Sequence, residues 1–195
     1  MRLEPLNPEK HRALLEKHYS QTPGVWDYIP FKSTQDILDE HAMTGESKGM
    51  MWFTISKTSA PDDYIGLIVL MTIEPHHKSI EFGVVYSKEL QRSTAGTESV
   101  FLLLKYCFEL GYVRIEWICE IENKASRAAA LRYGFKHEGI IRRHLVVSIF
   151  QNSYSHSLID EEWPAIRKEM ERWLQPSNFD AEGRQLTKLE AATAV

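Results

Sequence analysis

The sequence predicts an α+β domain in which helices flank one mixed, mostly antiparallel sheet. Three apolar runs, at 50–55, 64–73 and 79–86, follow one another with turn residues between them, which is typical of a β-meander. Between 97 and 110 the apolar residues take the spacing i, i+3, i+4, i+7 and i+8, which indicates an amphipathic helix. Strand and helix patterns then alternate toward the C-terminus. A meander followed by this alternation favours one sheet that contains both strand directions.

The segment before the meander is predicted to form a short strand and two helices. Residues 3–6 form the strand. The first helix is predicted at 8–19. Pro8 suits its first turn, because the N–H that proline lacks would be unpaired there anyway. The second helix covers 33–43, with a serine N-cap at its start and Gly45 as its stop.

Turn residues at 59–63 and 74–77 are predicted to separate the strands of the meander. The long helix is closed by Gly111, and the remaining pattern predicts a strand at 114–121, a short helix at 126–133, a hairpin from 135 to about 159 and a helix at 164–174. The polar stretch 175–195 is predicted to be a C-terminal arm or a frayed tail, so the domain itself covers 1–174.

Composition limits the classes of function. The 195 residues carry 23 Lys and Arg against 27 Asp and Glu, so a generic nucleic-acid binder, which needs a basic surplus, is disfavoured. The sequence contains no apolar run of ~18 residues and no apolar core of a signal peptide, so no membrane span is expected. The expected location is the cytoplasm, with the nucleus as the alternative. Cys107 and Cys119 stand in apolar stretches and are expected to be small core residues. His76 and His77 are adjacent, and neighbours rarely share one metal ion, so no metal site is expected.

The junction between the third apolar run and the long helix is a candidate anion site. A strand ends at Tyr86, small residues fill 93–97, and a strong helix begins. The first N–H groups of a helix are unpaired and its dipole favours anions, so this junction suits a phosphate, to which Arg92 would add a positive charge. Glu98 would repel such an anion unless it points away. An ordinary strand-to-helix turn is the alternative.

A second informative stretch runs from 122 to 139. It contains a strand end, Asn123, Ser126, a short alanine-rich helix and Gly134-Phe135. On local features alone, Ser126 is the N-cap of that helix and Gly134 is a C-cap residue. Taken together, the junction at 86–97 and the stretch at 122–139 indicate a particular protein family far more specifically than either does alone.

With both places in view, the chain resembles the GNAT acetyltransferase superfamily, and in detail its RimJ/RimL-type branch of N-acetyltransferases. The resemblance covers about 3–174. Its motifs are Ile80-Glu81-Phe82-Gly83, the loop 91–97, Asn123-x-x-Ser126, Gly134-Phe135, Glu138-Gly139 and the segment 157–163. Within that branch, the segments 90–93, 116–119 and 173–180 resemble a microbial and fungal subgroup.

The resemblance implies the transfer of an acetyl group from acetyl-CoA to an amine, without a metal. In this family the fourth strand splays from the fifth and the pantetheine arm lies between them. That implies contacts to the arm from Val84, Val85 and Tyr86 on one strand and from Asn123 after the other. The pyrophosphate is expected on the segment formed by Gln91, Arg92, Ser93, Thr94, Ala95, Gly96 and Thr97. Ser126 matches the residue suggested in this branch to protonate the departing CoA thiolate.

Two residues depart from the family pattern. Gln/Arg-x-x-Gly-x-Gly/Ala is here Gln91-x-x-Thr94-x-Gly96, so Thr94 must fit the loop without a positive φ, or the loop is shifted. Many members carry a tyrosine acid seven residues after the asparagine, and that position is Ala130 here. This departure leaves Ser126 as the expected acid.

A general base is expected, because an amine must be neutral to attack a thioester. The candidates are Glu81, on the central strand, and His144, near the final hairpin. The alternatives are that Glu81 only hydrogen-bonds within the fold and that His144 is a surface residue. An amide of the splayed strand, at Val85 or Tyr86, is the expected donor to the developing oxyanion.

The acceptor is expected beside the first two helices, which border it in GNAT proteins. Trp26 and Tyr28 lie between those helices and are candidates for acceptor contacts, with core packing as the alternative. We expect direct transfer in a ternary complex, because neither cysteine lies where an acyl-enzyme would need it. The expected acceptor is a small polyamine-like or amino compound or a protein N-terminus, and the expected assembly is a monomer or homodimer. A non-catalytic acyl-CoA-binding or regulatory GNAT module is the rival hypothesis.

Overall fold

One mixed sheet organises the fold. The structure is a computed structural model that describes residues 1–44, 49–146 and 150–193. Within these ranges the strands and α-helices, in chain order, are β1 (Arg2–Pro5), α1 (Pro8–Ser20), α2 (Thr34–Thr44), β2 (Met51–Lys57), β3 (Ala60–Glu74), β4 (Ser79–Tyr86), α3 (Thr94–Glu109), β5 (Arg114–Glu120), α4 (Lys124–Arg132), β6 (Lys136–Val146), β7 (Phe150–Ile159) and α5 (Trp163–Trp173).

The strands lie in the order β1-β2-β3-β4-β5-β7-β6, and each neighbouring pair is antiparallel except β4–β5. The parallel pair is short and ends where Glu81 meets Glu116. Beyond that point β4 continues along β3 to Tyr86, and β5 continues along β7 to Glu120, so the two strands diverge. The predicted fold class is confirmed: an α+β fold with a mixed, mostly antiparallel sheet, a splayed fourth and fifth strand, and flanking helices.

Helices cover the two faces of this sheet unequally. On one face α1 and α2 bury a core that includes Leu15, Ile37, Leu67 and Val85. On the other face α3, α4 and α5 cover a larger core, which contains Ile68, Phe82, Leu103, Ile115, Leu158 and Ile166. The α1–α2 core includes no residue of β5, β6 or β7 among those the structure describes. The half of that face beyond β4 therefore presents polar side chains that no apolar helix face covers.

Two predicted boundaries in the first half of the chain are wrong because local hydrogen bonding extends the elements. β3 begins at Ala60 instead of 64, since a tight turn at 58–59 places Lys57 opposite Ala60. α3 begins at Thr94 instead of 97, because the Ser93 hydroxyl accepts the Gly96 N–H at 3.0 Å and caps the helix there.

A third correction concerns α4. The helix begins at Lys124 because Asn123 is its N-cap, with the Asn123 side-chain oxygen accepting the Ser126 N–H at 3.0 Å. The expectation that Ser126 is the N-cap is therefore wrong. The predicted helix stop at Gly45 lies outside the described residues, and so do residues 147–149 of the predicted hairpin.

The segment 175–193 is an ordered arm that folds back over α5 and α4. Leu189 and Ala191 are buried in the same core as α5. The Asn178 side chain donates to the Trp173 carbonyl at 2.9 Å and accepts the Thr187 N–H at 3.0 Å. These contacts hold the arm against the domain.

The cysteines agree with the expectation that they are core residues. Cys107 and Cys119 are both buried, and burial raises the pKa of the Cys107 thiol to about 12. Within the described ranges, none of the helices combines the length and the apolar character that crossing a bilayer requires.

Candidate active site

The divergence of β4 from β5 opens a cleft with exposed backbone groups on one wall. The Lys78 carbonyl accepts N–H groups from Val113 at 2.8 Å and from Arg114 at 3.3 Å, so the backbone groups of even-numbered residues on β4 face β5. By the alternation of a strand, Val84 and Tyr86 direct their backbone N–H and C=O groups into the cleft. Val85 instead directs its backbone groups toward β3, with which it pairs through Leu67.

The first turn of α3 lies at the end of this wall. Ser93 caps the Gly96 N–H, whereas the N–H groups of Thr94 and Ala95 have no hydrogen-bond partner within the described chain. Arg92, just before the cap, is exposed and adopts a left-handed φ of 57°. Thr94 is the first helical residue, and the left-handed conformation falls on Arg92 instead. The loss of the family glycine at 94 therefore leaves the helix start intact, with free amides that suit an anion.

Gly96 and Tyr86 fix the position of this helix start. A Cβ on Gly96 would overlap the Leu90 carbonyl oxygen and come within 3.2 Å of the Tyr86 ring. The Tyr86 hydroxyl donates to the Gly96 carbonyl at 2.9 Å and lies 2.7 Å from the Ser99 hydroxyl. The Tyr86 side chain therefore supports α3 from below, while its backbone lines the cleft. Glu98 points away from the free amides and pairs with the amino group of Met1.

Asn123 and Ser126 stand at the end of β5, on the other wall. The Ser126 hydroxyl oxygen accepts the indole N–H of Trp117 at 2.9 Å, and the same hydroxyl hydrogen-bonds the Cys119 thiol, so it retains a proton that it can donate. The Asn123 side-chain oxygen is occupied by its capping hydrogen bond. Trp117 is buried, so its hydrogen bond fixes the position of the Ser126 side chain.

Glu81 is a half-buried carboxyl at the root of the cleft. Burial is the main cause that raises its pKa to about 7, and the neighbouring carboxylate of Glu116 adds to the increase. The Thr72 hydroxyl donates to Glu81 Oε2 at 3.0 Å and opposes that shift. Thr72 holds this position in a left-handed conformation, with φ of 48°, at an irregularity in the β3–β4 pairing.

Glu116 belongs to a charged network on the open half of the face. Arg114 donates to Glu116 at 2.8 Å and forms a bidentate pair with Glu138 at 2.8 and 2.6 Å. These bonds to Arg114 are the main reason that the pKa of Glu138 is lowered to about 2. Two carboxylates therefore share one guanidinium beside Glu81, and the surface next to the cleft has an excess of negative charge.

His144 lies on β6, two strands away from the β5 wall of the cleft. It is exposed on β6, with its Nδ1 3.1 Å from the hydroxyl of buried Ser153 on β7. Since only β7 separates β6 from β5, two strand spacings of about 4.8 Å place His144 roughly 10 Å from the β5 wall of the cleft. Of the two base candidates, only Glu81 is at the point where β4 and β5 part.

The segment between α1 and α2 lies over the end of β4. Tyr19 of α1 donates its hydroxyl to the Val85 carbonyl at 2.8 Å, and the half-buried Trp26 packs edge-on against the Tyr19 ring at 5.1 Å. The Thr22 hydroxyl accepts the Lys88 N–H at 3.0 Å and ties the same segment to the β4–α3 connection. Tyr28 is 37% exposed. Trp26 is thus a partly packed side chain near the cleft, and Tyr28 remains accessible.

Sequence reasoning missed three residues of this site. Tyr19, Thr72 and Arg114 bind the β4 backbone, the Glu81 carboxyl and the Glu116 carboxylate, respectively. The sequence does contain a hint of the role of Arg114. It precedes Glu116 by two positions on a predicted strand, so the two opposite charges lie on the same face of the sheet. Nothing in the local sequence indicates the partners of Tyr19 or Thr72.

One cluster elsewhere has metal-ligand residue types. Side-chain atoms of His18, Asp63 and Glu89 lie within 4.8 Å of one another. His18 already bonds Asp63 at 2.9 Å, and Glu89 pairs with Lys57. The cluster is explained by these pairs.

Comparison with known proteins agrees with this geometry. Residues 1–136 match the family model "Acetyltransferase (GNAT) domain". A GCN5-related N-acetyltransferase from Brucella melitensis has the same fold with a TM-score of 0.90 and 34% identity, over 100% of this chain and 91% of that one. A probable acetyltransferase of the GNAT family from Chromobacterium violaceum is 35% identical over 84% of each chain, with a TM-score of 0.77. The N-acetyltransferase YoaA from Bacillus subtilis is 27% identical over 105 residues, which are 53% of this chain and 58% of that protein.

The splayed β4–β5 pair, with the free amides of α3 at its end, is the candidate site of this fold. The chain belongs to the GNAT acetyltransferase family, since the family model matches more than half of it and full-length structural relatives exceed 30% identity.

Proposed function

We propose that this protein transfers the acetyl group of acetyl-CoA directly to a primary amine in a ternary complex. The observation that supports it is the cleft between β4 and β5, which has the free amides of α3 at its end and the Glu81 carboxyl at its root. An anionic nucleotide would bind at the end of the cleft, beside α3, and an amine would bind at its root, beside Glu81. We also propose membership of the RimJ/RimL-like branch and a cytoplasmic location.

The donor would lie along β4. The backbone groups of Val84 and Tyr86 hydrogen-bond the amide-rich pantetheine arm, while Val85 contributes packing. The segment from Gln91 to Thr97 holds the pyrophosphate, with the N–H groups of Thr94 and Ala95 as donors and Arg92 as a counter-charge. Asn123 contacts the arm from the opposite wall. Free amides, a positive side chain and an open strand edge together fit an extended ligand with a phosphate end.

Glu81 would act as the general base. A carboxyl with a pKa of about 7 is half ionised near neutral pH and takes a proton from an ammonium group, directly or through water, better than an ordinary carboxylate does. The neutral amine then attacks the thioester carbonyl carbon and forms the new C–N bond. A cleft-facing N–H of β4, at Val84 or Tyr86, stabilises the negative charge that develops on the carbonyl oxygen.

Ser126 would complete the reaction as the acid. The carbon–sulfur bond breaks, and the thiolate takes the hydroxyl proton that Ser126 does not use in its bond with Trp117. A thiol has an ordinary pKa of about 8.5, so the departing sulfur needs only modest assistance. The nitrogen of the tetrahedral intermediate loses its extra proton to solvent as the amide forms. Solvent then returns a proton to Ser126, and Glu81 releases the proton it accepted.

The acceptor would be an amine that carries positive charge before it reacts. Glu116 and Glu138 share Arg114 and leave negative charge beside Glu81, which attracts an ammonium group. Trp26 and Tyr28 would contact the acceptor, since an indole face also favours a cation. A small polyamine-like or amino compound and a protein N-terminus both meet this description.

A panel of amines tests the proposal. The purified chain is incubated with acetyl-CoA and each amine, and released CoA is measured with a thiol-detecting dye. We expect thiol release that depends on both the protein and the amine, for at least one cationic amine. Tight acetyl-CoA binding without release for any amine would contradict the proposal and favour a non-catalytic CoA-binding module.

A further inference from the structure

Ser126 and Cys119 form a hydrogen-bonded pair where β5 ends and α4 begins. Trp117 and Cys119 are two positions apart on β5, so both side chains lie on the same face of the sheet. The first turn of α4 lies over that face. The Ser126 hydroxyl contacts both side chains there, since it accepts the indole N–H of Trp117 at 2.9 Å and hydrogen-bonds the Cys119 thiol. The thiol is therefore one hydrogen bond away from the group proposed to protonate the leaving sulfur.

The Ser126 hydroxyl can make three hydrogen bonds, two as an acceptor and one as a donor. An indole N–H only donates, so Trp117 takes one acceptor position. When the Cys119 thiol donates to the second position, the Ser126 proton remains for a third partner. Cys119 is 7% exposed and Ser126 is half-buried, so that third partner lies on the open side of the pair, toward the cleft.

The surrounding contacts hold this arrangement in place. The Trp117 ring packs edge-on against Phe82 at 5.0 Å and against Phe135 at 5.6 Å. The Asn123 side-chain oxygen accepts the Ser126 N–H at 3.0 Å and fixes the backbone of Ser126. The Ser126 oxygen is thus fixed between the buried thiol and the cleft.

A serine hydroxyl that acts alone is a poor acid for a departing thiolate. An alcohol holds its proton about as strongly as water, whose pKa is about 15.7, whereas the thiol that forms has an ordinary pKa of about 8.5. Donation by Ser126 alone would leave an alkoxide in a half-buried place, where a charge is poorly solvated. A second proton must therefore reach Ser126 as its own proton leaves.

The Cys119 thiol is an available source of that proton. Burial raises its pKa, so the thiol is protonated at neutral pH. The hydrogen bond with Ser126 and the positive charge of Arg127 act in the opposite direction and stabilise a thiolate when one forms. Proton transfer from one thiol to another thiolate costs far less than formation of an alkoxide.

We propose that Cys119 is a proton-relay residue, which passes its proton to Ser126 as Ser126 passes its own to the sulfur of CoA. This inference rests on the proposed function, since it extends the acid step of Ser126. The carbon–sulfur bond breaks, the CoA sulfur keeps the electron pair and takes the Ser126 proton, and the S–H bond of Cys119 breaks to restore the Ser126 hydroxyl. Cys119 is left as a thiolate. The proton that solvent returns to Ser126 then allows Ser126 to restore the thiol.

A double-mutant cycle of Cys119 and Ser126 tests the relay. The rate is CoA release from acetyl-CoA with the most active amine of the panel, and isothermal titration gives the Kd of acetyl-CoA for each variant. We expect Cys119→Ala to lower kcat by ~10-fold with an unchanged Kd, as part of the contribution of a general acid. In the Ser126→Ala background, Cys119→Ala should lower kcat no further, because the relay has no acceptor there.

A second variant, Cys119→Ser, separates the relay from packing and hydrogen bonding. Its hydroxyl donates a hydrogen bond to Ser126 but is no stronger an acid than Ser126 itself. We therefore expect Cys119→Ser to bind acetyl-CoA as the unmodified chain does and still to lose ~10-fold in kcat. Cys107→Ala, which removes the other buried thiol, is the matched control and should keep the full kcat.

The outcomes separate the relay from the proposed function. Full turnover in Cys119→Ser would overturn the relay, even where Cys119→Ala fails to fold, and the acid role of Ser126 would stand on its own variant. Losses of kcat that multiply in the double variant would show an effect of Cys119 that does not pass through Ser126, and would also overturn the relay. An equal loss in Cys107→Ala would do the same. Absence of CoA release from the unmodified chain with every amine would overturn the proposed function and the relay together.

Discussion

Glu81→Gln should stabilise the protein at alkaline pH and remove its activity. Folding raises the pKa of Glu81 from 4.5 to about 7, mainly through burial, so the folded chain prefers the protonated acid. The stabilising contribution of this acid is complete below pH 4.5 and is lost as pH rises to 7 and above. The shift corresponds to at most about 3 kcal/mol. Glutamine is neutral at every pH and accepts the same Thr72 hydrogen bond, so it avoids this loss.

Melting curves at pH 5 and pH 8 measure the difference. We expect Glu81→Gln to melt close to the unmodified chain at pH 5 and several degrees above it at pH 8, since ~1 kcal/mol moves the Tm by roughly 2–4 °C at this size. Glu74→Gln, which neutralises an exposed carboxylate at the end of β3, is the matched control and should show no such gain. In Glu81→Gln, amine-dependent CoA release should also fall by ~100-fold or more, as expected for a lost general base.

Two results would refute this reasoning about Glu81. A Glu81→Gln variant that is no more stable at pH 8 than the unmodified chain would mean that burial does not raise the pKa of the carboxyl. A variant that is stabilised but keeps full turnover would mean that Glu81 is a structural acid and that the base lies elsewhere on the open face.

Further predictions concern the groups around Glu81 and the two substrates. Thr72→Ala should shift the rise of activity with pH upward by about half to one pH unit, because it removes a hydroxyl that favours the ionised form of Glu81. Thr72→Ser should restore the original pH profile. Identical pH profiles for Thr72→Ala and the unmodified chain would contradict the role of Thr72. Ser126→Ala should lower kcat with little change in the Kd of acetyl-CoA, and should also destabilise the fold by ~1–3 kcal/mol in urea because Trp117 loses its acceptor; unchanged turnover would leave only the structural role. Trp26→Ala should raise the KM of the acceptor and leave acetyl-CoA affinity intact, and a joint loss of both would assign Trp26 to the core.

The strands of the sheet are predictable from the sequence because burial in the core requires a regular pattern of apolar residues. The apolar runs at 79–86 and 114–121 predict β4 and β5 closely, and the spacing between Val100 and Phe108 predicts the body of α3. Helix starts were harder, since a single hydroxyl or amide decides them. Asn123 and Ser93 cap helices that begin two and three residues, respectively, before the predicted starts at 126 and 97.

The sequence indicates where the candidate site lies and says less about its chemistry. The motifs quoted above fall at the cleft and at the start of α3, but the pKa of Glu81 depends on burial and on Glu116, which is 35 positions away in the chain. The hydrogen bond from Thr72 requires a left-handed threonine, a conformation that no propensity favours. The order of the arm depends on long-range contacts such as those of Asn178, which a polar, irregular segment does not reveal.

Binding of acetyl-CoA tests the central claim, that the cleft between β4 and β5 is a donor site, most directly. At a concentration of ~100 times the Kd, linkage stabilises the folded chain by about 2.7 kcal/mol, which a melting curve detects as a rise of several degrees. The account predicts this rise for acetyl-CoA and none for an equal concentration of acetate. An unchanged Tm at millimolar acetyl-CoA would contradict the claim.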